Sequence, residues 1–154
     1  MAAGTWKVYT QTKRNIGSAL FDLDNAAGPF YMTLHRTSAS ATITKFTNGG
    51  ISTYASIGSE VSATGGYVAA GTALSSVAWT VGANNSQMKW TYTTGGVIFT
   101  GSLNNVRYAA IRNSTGAGAG RVLCYVALST TQFSLVSPNT LTVIPAATGV
   151  FTLT

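Results

Sequence analysis

The side chains that could perform acid–base chemistry are few in this chain. Asp22, Asp24 and Glu60 are its only carboxylic residues, and it has one histidine, His35, and one cysteine, Cys124. Carboxylate catalysis needs two acidic groups at a controlled separation, with the pKa of at least one shifted by its surroundings. Asp22 and Asp24 are two residues apart, so on a strand they would share one face at about 7 Å. That spacing permits a weak cation site, although a solvated strand end is the better interpretation.

Nucleophilic catalysis also finds little support. A hydrolase triad would need His35 oriented by a carboxylate and hydrogen-bonded to a nucleophile, and no serine lies in a Gly-x-Ser-x-Gly turn. Cys124 lies in an apolar run, where a buried thiol is the expected state. One histidine and one cysteine cannot form a closed tetrahedral zinc site. We therefore predict a partly exposed strand histidine, a structural cysteine, no catalytic residue, no metal and no cofactor, so the chain is not expected to be an enzyme.

The glycines of segment 116–120 precede Arg121 and could suggest a phosphate-binding loop. Their spacing is Gly-x-Gly-x-Gly, and the apolar run 122–128 that follows is typical of a strand. A dinucleotide fingerprint instead spaces its glycines to open a helix, whose first turn holds the pyrophosphate. The pattern therefore predicts a flexible hairpin loop over 114–120.

The composition favours a single domain that assembles with other subunits. The chain has 154 residues, 45% of them hydrophobic and only 8% charged, with a net charge of +6 and a mean hydropathy of +0.24. This excludes a disordered chain, and it leaves Thr, Ser, Asn and Gly to form much of the surface. A surface poor in long charged side chains loses less entropy when a partner covers it. The cations are scattered, apart from Lys13 and Arg14, so nucleic acid is unlikely as a partner and an acidic protein surface fits better.

The dominant local pattern is a period of two, as in Met88, Trp90 and Tyr92 against Lys89 and Thr91. Such alternation, broken by Gly, Asn and Pro turns, predicts an all-β fold: residues 1–154 as one antiparallel, jelly-roll-like β-sandwich. The predicted loop with one helical turn is 51–62. Strands are predicted near 5–12, 17–24, 30–37, 40–46, 73–81, 87–93, 96–100, 105–112, 121–128, 131–136, 140–145 and 149–154.

The last part of the chain is uncharged at neutral pH, since 122–154 contains no Asp, Glu, Lys, Arg or His. We expect this stretch to be largely covered, by another sheet or by another subunit. The three tryptophans and seven tyrosines could fill such a core or stack on sugar rings. No signal peptide or membrane span is evident, because the long charge-free stretches are rich in Gly, Ser and Thr. Synthesis in a cytosol is expected.

A series of different short motifs, some of which contain Gly-Gly, Gly-Tyr or Glu-Val pairs, extends along most of the chain. They include residues 13–17, 30–34, 53–61, 63–67, 71–74, 77–79, 88–90, 97–99, 108–111 and 122–125. This order resembles small structural proteins encoded among the head and tail genes of tailed bacteriophages.

The resemblance implies a virion protein without catalytic residues. A capsid decoration (cement) or minor head protein is expected, in contact with major capsid or tail proteins and forming a homo-oligomer. The alternative is a tail component, such as a tail-tip or fibre module that binds a receptor or carbohydrate.

Overall fold

The computed structural model of the chain describes residues 4–24, 29–44, 53–82 and 87–153. Strands dominate this part of the chain, and their pairings are antiparallel, so the all-β prediction is confirmed. The strands are β1 (Lys7–Val8), β2 (Phe30–His35), β3 (Thr72–Ala73), β4 (Ala78–Val81), β5 (Met88–Thr91), β6 (Val97–Thr100), β7 (Leu103–Val106), β8 (Tyr108–Asn113), β9 (Val122–Ala127), β10 (Phe133–Leu135), β11 (Thr140–Val143) and β12 (Phe151–Leu153). The helices are α1 (Thr10–Gly17) and α2 (Ser40–Ile43), with 3-10 turns at Thr37–Ala39, Tyr54–Ser56 and Gly116–Gly118.

The largest sheet has five strands in the order β1-β9-β8-β2-β3. Nearly every residue of β2, β8 and β9 is buried. Both faces of these strands are therefore covered, and β9 is apolar along its whole length, as expected for a strand buried on both faces. The loop predicted over 114–120 closes the β8–β9 hairpin, so its place in a hairpin is confirmed, and its flexibility stays a prediction.

The two faces of this sheet belong to two separate cores. Ala109 points into the larger core, which also contains Trp90 and Phe99 from other sheets. Ala110 points into the smaller core, together with Ile43 of α2. Successive residues of one strand enter different cores because side chains alternate across a strand.

The β8–β9 hairpin continues well beyond the five-stranded sheet. β7 pairs with β10 and β6 pairs with β11, so residues 97–113 and 122–143 form one long hairpin. Its ladder is interrupted between β6 and β7 and shifts register within the β7–β10 pair. We call β6, β7, β10 and β11 the outer ribbon.

A glycine permits the interruption between β6 and β7. Gly101 has a φ of 83°, which L side chains rarely adopt. A Cβ at this position would lie 2.8 Å from the Cα of Gly65, so the loop around Gly65 could not remain in place. The close contact between these two glycines holds the 62–71 loop against the outer ribbon.

A separate sheet has three strands in the order β12-β5-β4 and is built around Trp90. This side chain is fully buried, and its Nε1 donates to the Leu23 carbonyl oxygen at 3.0 Å. Its ring stacks on Phe151 with centroids 5.6 Å apart and meets the edge of Phe30 at 5.2 Å. Trp90 therefore joins this sheet to the larger core.

The strands predicted at 5–12 and 17–24 are largely wrong. β1 has two residues, and α1 occupies Thr10–Gly17. Thr12 and Asn15, three residues apart, are the buried side chains of this helix, and the Thr12 hydroxyl donates to the Val122 carbonyl at 2.8 Å. The buried positions are polar, so no apolar helical period is visible in the sequence.

The strand predicted at 40–46 is also wrong, because α2 covers its first part; residues 45 and 46 lie outside the described residues. Its threonines had suggested a strand. Their hydroxyls instead donate to carbonyls of the preceding turn: Thr42 to Ala39 at 2.9 Å and Thr44 to Ser40 at 2.7 Å. Threonine fits a helix when its hydroxyl makes this bond.

The structure also tests the strand predicted at 73–81 and the helical turn predicted within 51–62. The strand predicted at 73–81 is divided, since β3 ends at Ala73 and β4 begins at Ala78. The helical turn predicted within 51–62 is confirmed by the 3-10 turn Tyr54–Ser56. The strands are distributed over four sheets, and the jelly-roll sandwich stays a prediction.

Candidate functional site: a neutral outer face and a closed polar cluster

The outer ribbon has one side in the core and one side in solvent. Val97, Phe99 and Val143 are buried, while Ile98 and Thr142, which pair across the strands, are both exposed. The alternation predicted from the sequence is therefore present here. We define the outer face as the exposed side of the β6–β11 pair, formed by Ile98, Thr100, Thr140, Thr142 and Ile144.

All five side chains of the outer face are β-branched, and none is ionisable. Ile98 is 58% exposed and Ile144 is 56% exposed. Val136, at the turn between β10 and β11, is 65% exposed. Large apolar side chains close together on a surface are characteristic of protein contacts.

Most of the neutral stretch beyond β9 is exposed. β9 itself lies in the core, as Leu123 and Cys124 show, but most residues from 130 to 153 are exposed. The expectation that 122–154 would be covered is therefore met within this chain only for β9 and for scattered residues such as Val143 and Val150. Coverage of the rest by another subunit stays a prediction.

The densest polar cluster surrounds Glu60, in the loop that follows the 3-10 turn Tyr54–Ser56. The hydroxyls of Tyr54 and Tyr67 each donate to one carboxylate oxygen of Glu60. The backbone N–H of Ala70 donates to the same carboxylate at 2.9 Å. The Tyr67 hydroxyl in turn accepts the Leu34 N–H at 3.0 Å, so the cluster fastens this loop to β2.

The tyrosines of this cluster are held in their neutral form. Burial raises the pKa of both Tyr54 and Tyr67, and the hydrogen bond to Glu60 raises each pKa further. The Arg112 guanidinium, 4.9 Å from the centre of the Tyr54 ring, opposes the shift of the Tyr54 pKa only partly. The phenols therefore serve as donors to the carboxylate.

His35 was predicted to be a partly exposed strand residue, and this is wrong because it is fully buried at the end of β2. Its Nδ1 is 2.9 Å from the Gly58 carbonyl oxygen, which can only accept, so Nδ1 carries the proton. Its Nε2 is 2.9 Å from the Thr33 hydroxyl. Both ring nitrogens therefore have partners, and no carboxylate or nucleophilic serine is among them.

A cavity of about 200 Å³ adjoins His35 and Glu60. It is small, and the polar groups of His35, Tyr54 and Glu60 that line it already bond to protein atoms. Among the described residues no three His, Cys, Asp or Glu side chains are grouped to hold a metal ion. Among the described residues, the hydrogen bonds of Glu60 therefore link Tyr54, Tyr67 and Ala70 to one another.

Burial should make folding stability depend on pH through His35. Burial lowers the pKa of His35 below 6.5, and the Gly58 bond and the Glu60 charge oppose this only partly. The unfolded chain therefore binds a proton that the folded chain excludes, so this contribution is complete above about pH 6.5 and is lost as the pH falls toward the lowered pKa. Urea midpoints between pH 7.5 and 4.5 should fall more steeply for the native chain than for His35→Gln. An imidazole pKa at or above 6.5 by NMR would contradict this.

The remaining candidate residues of the sequence do not come together. Cys124 is fully buried in β9 as predicted, and burial raises the pKa of its thiol. Asp22 and Asp24 are exposed, and they lie in a turn rather than on the predicted strand. One carboxylate oxygen of Asp24 accepts a hydrogen bond from the backbone N–H of Trp79, in β4, at 3.4 Å.

The glycine-rich loop has a structural use. A Cβ at Gly118 would lie 2.5 Å from the Leu20 carbonyl oxygen and 2.9 Å from the side-chain nitrogen of Asn113. Glycine is therefore needed here for close packing against the 18–21 segment. The loop leads into strand β9, as the sequence had indicated, and not into a helix.

Most large aromatic side chains are buried. Trp6, Trp79, Tyr31 and Tyr54 keep partial exposure. Trp6 lines a groove of about 330 Å³ between β1, the end of β9 and residues 142–150, in which it is the one aromatic residue. The buried tryptophan and tyrosine rings are those of Trp90, Tyr9, Tyr67, Tyr92, Tyr108 and Tyr125.

Comparison with known proteins adds no relative. No family model, curated protein or solved structure matches this chain. Among the described residues, no helix is long and apolar enough to cross a membrane. Function is therefore inferred from the surface and the sequence.

The sequence did not identify two features. The pairing of Ile98 with Thr142 depends on the register of the long hairpin, although strands near 96–100 and 140–145 were predicted. For the Glu60 cluster, the sequence shows only one acidic residue in a neutral stretch, with Tyr54 before it and Tyr67 after it.

Proposed function

We propose that this protein is a non-catalytic structural subunit of a tailed-bacteriophage particle, a capsid decoration or minor head protein that stabilises the particle through protein contacts. The observation that carries the proposal is the exposure of the neutral stretch beyond β9. In a subunit that stayed alone, the apolar side chains of Val136 and Ile144 would remain in water at a cost in free energy. Covering them with a neighbour recovers that free energy.

The state of the ionisable groups supports the non-catalytic part of the proposal. Both nitrogens of His35 and both oxygens of Glu60 have partners within the chain, and the Cys124 thiol is buried. A catalytic group must reach its substrate within hydrogen-bond distance, whereas the observed partners of these groups are protein atoms. The virion assignment itself rests on the sequence resemblance. We further propose that the four sheets together act as a jelly-roll-like sandwich.

The alternative is a receptor- or carbohydrate-binding module of the tail, and the groove at Trp6 favours it. Sugar rings stack on aromatic faces, and the hydroxyls of Thr5, Thr142 and Thr148 could bond to sugar hydroxyls. Glycan-array binding that is lost in Trp6→Ala would favour this module over the decoration protein.

The decoration proposal is tested by incorporation into particles. Val136→Lys and Ile144→Lys place a charge on exposed positions, so each variant should fold. We expect quantitative mass spectrometry of purified particles to show at least about tenfold fewer copies of each, because a lysine buried in an interface without a partner is costly. Val81→Lys is the matched control, since Val81 is 55% exposed in a different sheet. Full incorporation of both variants would overturn the proposal.

A further inference from the structure

We propose that the outer face is where two copies of this chain meet, each presenting the same face to the other around a twofold axis. The inference rests on the proposed function only in treating this face as a subunit contact. It adds, to the homo-oligomer that the sequence resemblance implies, the face through which two copies meet and the symmetry of the contact.

The distribution of charge permits two copies of the chain to meet at this face. Each copy has a net charge of +6, so two copies repel each other wherever cations meet. The five-stranded sheet carries Lys7 and Arg112, and the three-stranded sheet carries Lys89. The outer ribbon has no ionisable side chain in any of its four strands. It is therefore the part of the described sheet structure where two identical surfaces can approach without like charges in contact.

The register gives the outer face a surface that can complement itself. Ile98 lies beside Thr142 and Thr100 lies beside Thr140, so both large and small β-branched side chains are present on this face. Ile144 adjoins Gly96, since a Cβ added at Gly96 would lie 2.8 Å from the Ile144 side chain. In a face-to-face contact, the isoleucines of one copy can lie over the threonines of the other. Sheets pack in this way about 10 Å apart.

The side-chain types also lower the entropic cost of this contact. Valine, isoleucine and threonine have restricted χ1 rotamers even when exposed, so they lose less freedom on burial than long flexible side chains. The outer face consists of such residues alone. An isologous contact also uses each of them twice, so every favourable pair is repeated by the symmetry.

The oligomeric state in solution tests the inference. Sedimentation equilibrium should show a dimer for the native chain, and Ile98→Lys should raise the dimer dissociation constant by roughly 100-fold, because it brings unpaired charges together at the twofold contact. Thr142→Lys, on the neighbouring strand, should act in the same way, so that one variant remains if the other does not fold. Val81→Lys should leave the constant within about twofold, as expected for a residue outside the contact.

A cross-linking experiment places the contact independently. Thr142→Cys adds an exposed thiol on the outer face, while Cys124 is buried and remains unreactive. A short bis-maleimide should link two copies through this thiol and should not link two copies of Thr80→Cys, which is exposed on β4. A native chain that stays monomeric, or an Ile98→Lys dimer as tight as the native one, would overturn the inference. Such a monomer, if it still entered particles, would leave the proposed function standing, and a dimer that never entered them would refute the proposed function alone.

Discussion

Replacement of Trp90 by alanine is expected to lower the free energy of unfolding by about 3–5 kcal/mol, because it removes a large, fully buried ring and leaves a cavity. Three contacts disappear together: the stack on Phe151, the edge contact with Phe30 and the bond from Nε1 to the Leu23 carbonyl. Urea denaturation followed by far-ultraviolet circular dichroism would measure the loss. A chain that no longer folds at 37 °C would agree with the upper part of this range.

Two variants separate the contributions at this site. Trp79 is a partly exposed tryptophan whose ring is 6.1 Å from that of Phe151, so Trp79→Ala should cost less, about 1–2 kcal/mol. Trp90→Phe retains an aromatic ring but leaves the Leu23 carbonyl without its donor, which should cost about 1–3 kcal/mol. Equal losses for the two alanine variants would contradict the central position of Trp90.

The row that contains Trp90 was predictable from its period of two. Trp90 and Tyr92 are buried and Met88 is partly buried, as the alternation indicates. What the alternation cannot supply is the opposite wall of the core. Leu23 lies 67 residues before Trp90, and contacts at that separation depend on the whole topology.

The helices were missed for a physical reason. α1 and α2 are short, and the buried side chains of α1 are polar: Thr12, whose hydroxyl bonds to the Val122 carbonyl, and Asn15. Pattern recognition relies on apolar side chains recurring at helical spacing, and here that spacing carries threonine and asparagine. Threonine in α2 had the opposite effect, since its β-branched side chain favours strands unless its hydroxyl bonds back to the helix.

For the neutral stretch, the sequence predicts the chemical type of the surface but not its position in the molecule. Absence of charge over 122–154 indicates burial, but it cannot distinguish the core of the same chain from an interface. The structure separates the two, since β9 is core while Ile144 and Val136 remain exposed. The chemical type of the surface was therefore predictable, and its place in the molecule was not.

Replacement of Glu60 by glutamine is expected to lower the free energy of unfolding by about 1–3 kcal/mol, although the side chain keeps its shape. The carboxylate accepts from Tyr54, Tyr67 and the Ala70 N–H. An amide has one oxygen and one NH₂ group, so one tyrosine hydroxyl would face a donor in place of an acceptor. The Tyr67 hydroxyl cannot turn freely to accept from that NH₂ group, because it already accepts the Leu34 N–H.

Asp22→Asn is the matched control for this change. It makes the same chemical substitution and the same change in net charge at an exposed carboxyl group, so it should alter the free energy of unfolding by less than about 0.5 kcal/mol. A loss as large as that of Glu60→Gln would assign the effect to net charge and would remove the hydrogen bonds as its cause.

A double-mutant cycle between Glu60→Gln and Tyr54→Phe decides whether the cluster acts as a unit. The Tyr54 hydroxyl has Glu60 as its hydrogen-bond acceptor, so Tyr54→Phe should cost much less in the Glu60→Gln background than in the native chain. The expected coupling energy is about 1–2 kcal/mol, which is typical of residues in one hydrogen-bond network. Additive losses would mean that the two side chains stabilise the loop separately. The coupling matters for assembly because this loop meets the outer ribbon at Gly65 and Gly101, so loosening the cluster should also weaken contacts made by the outer face.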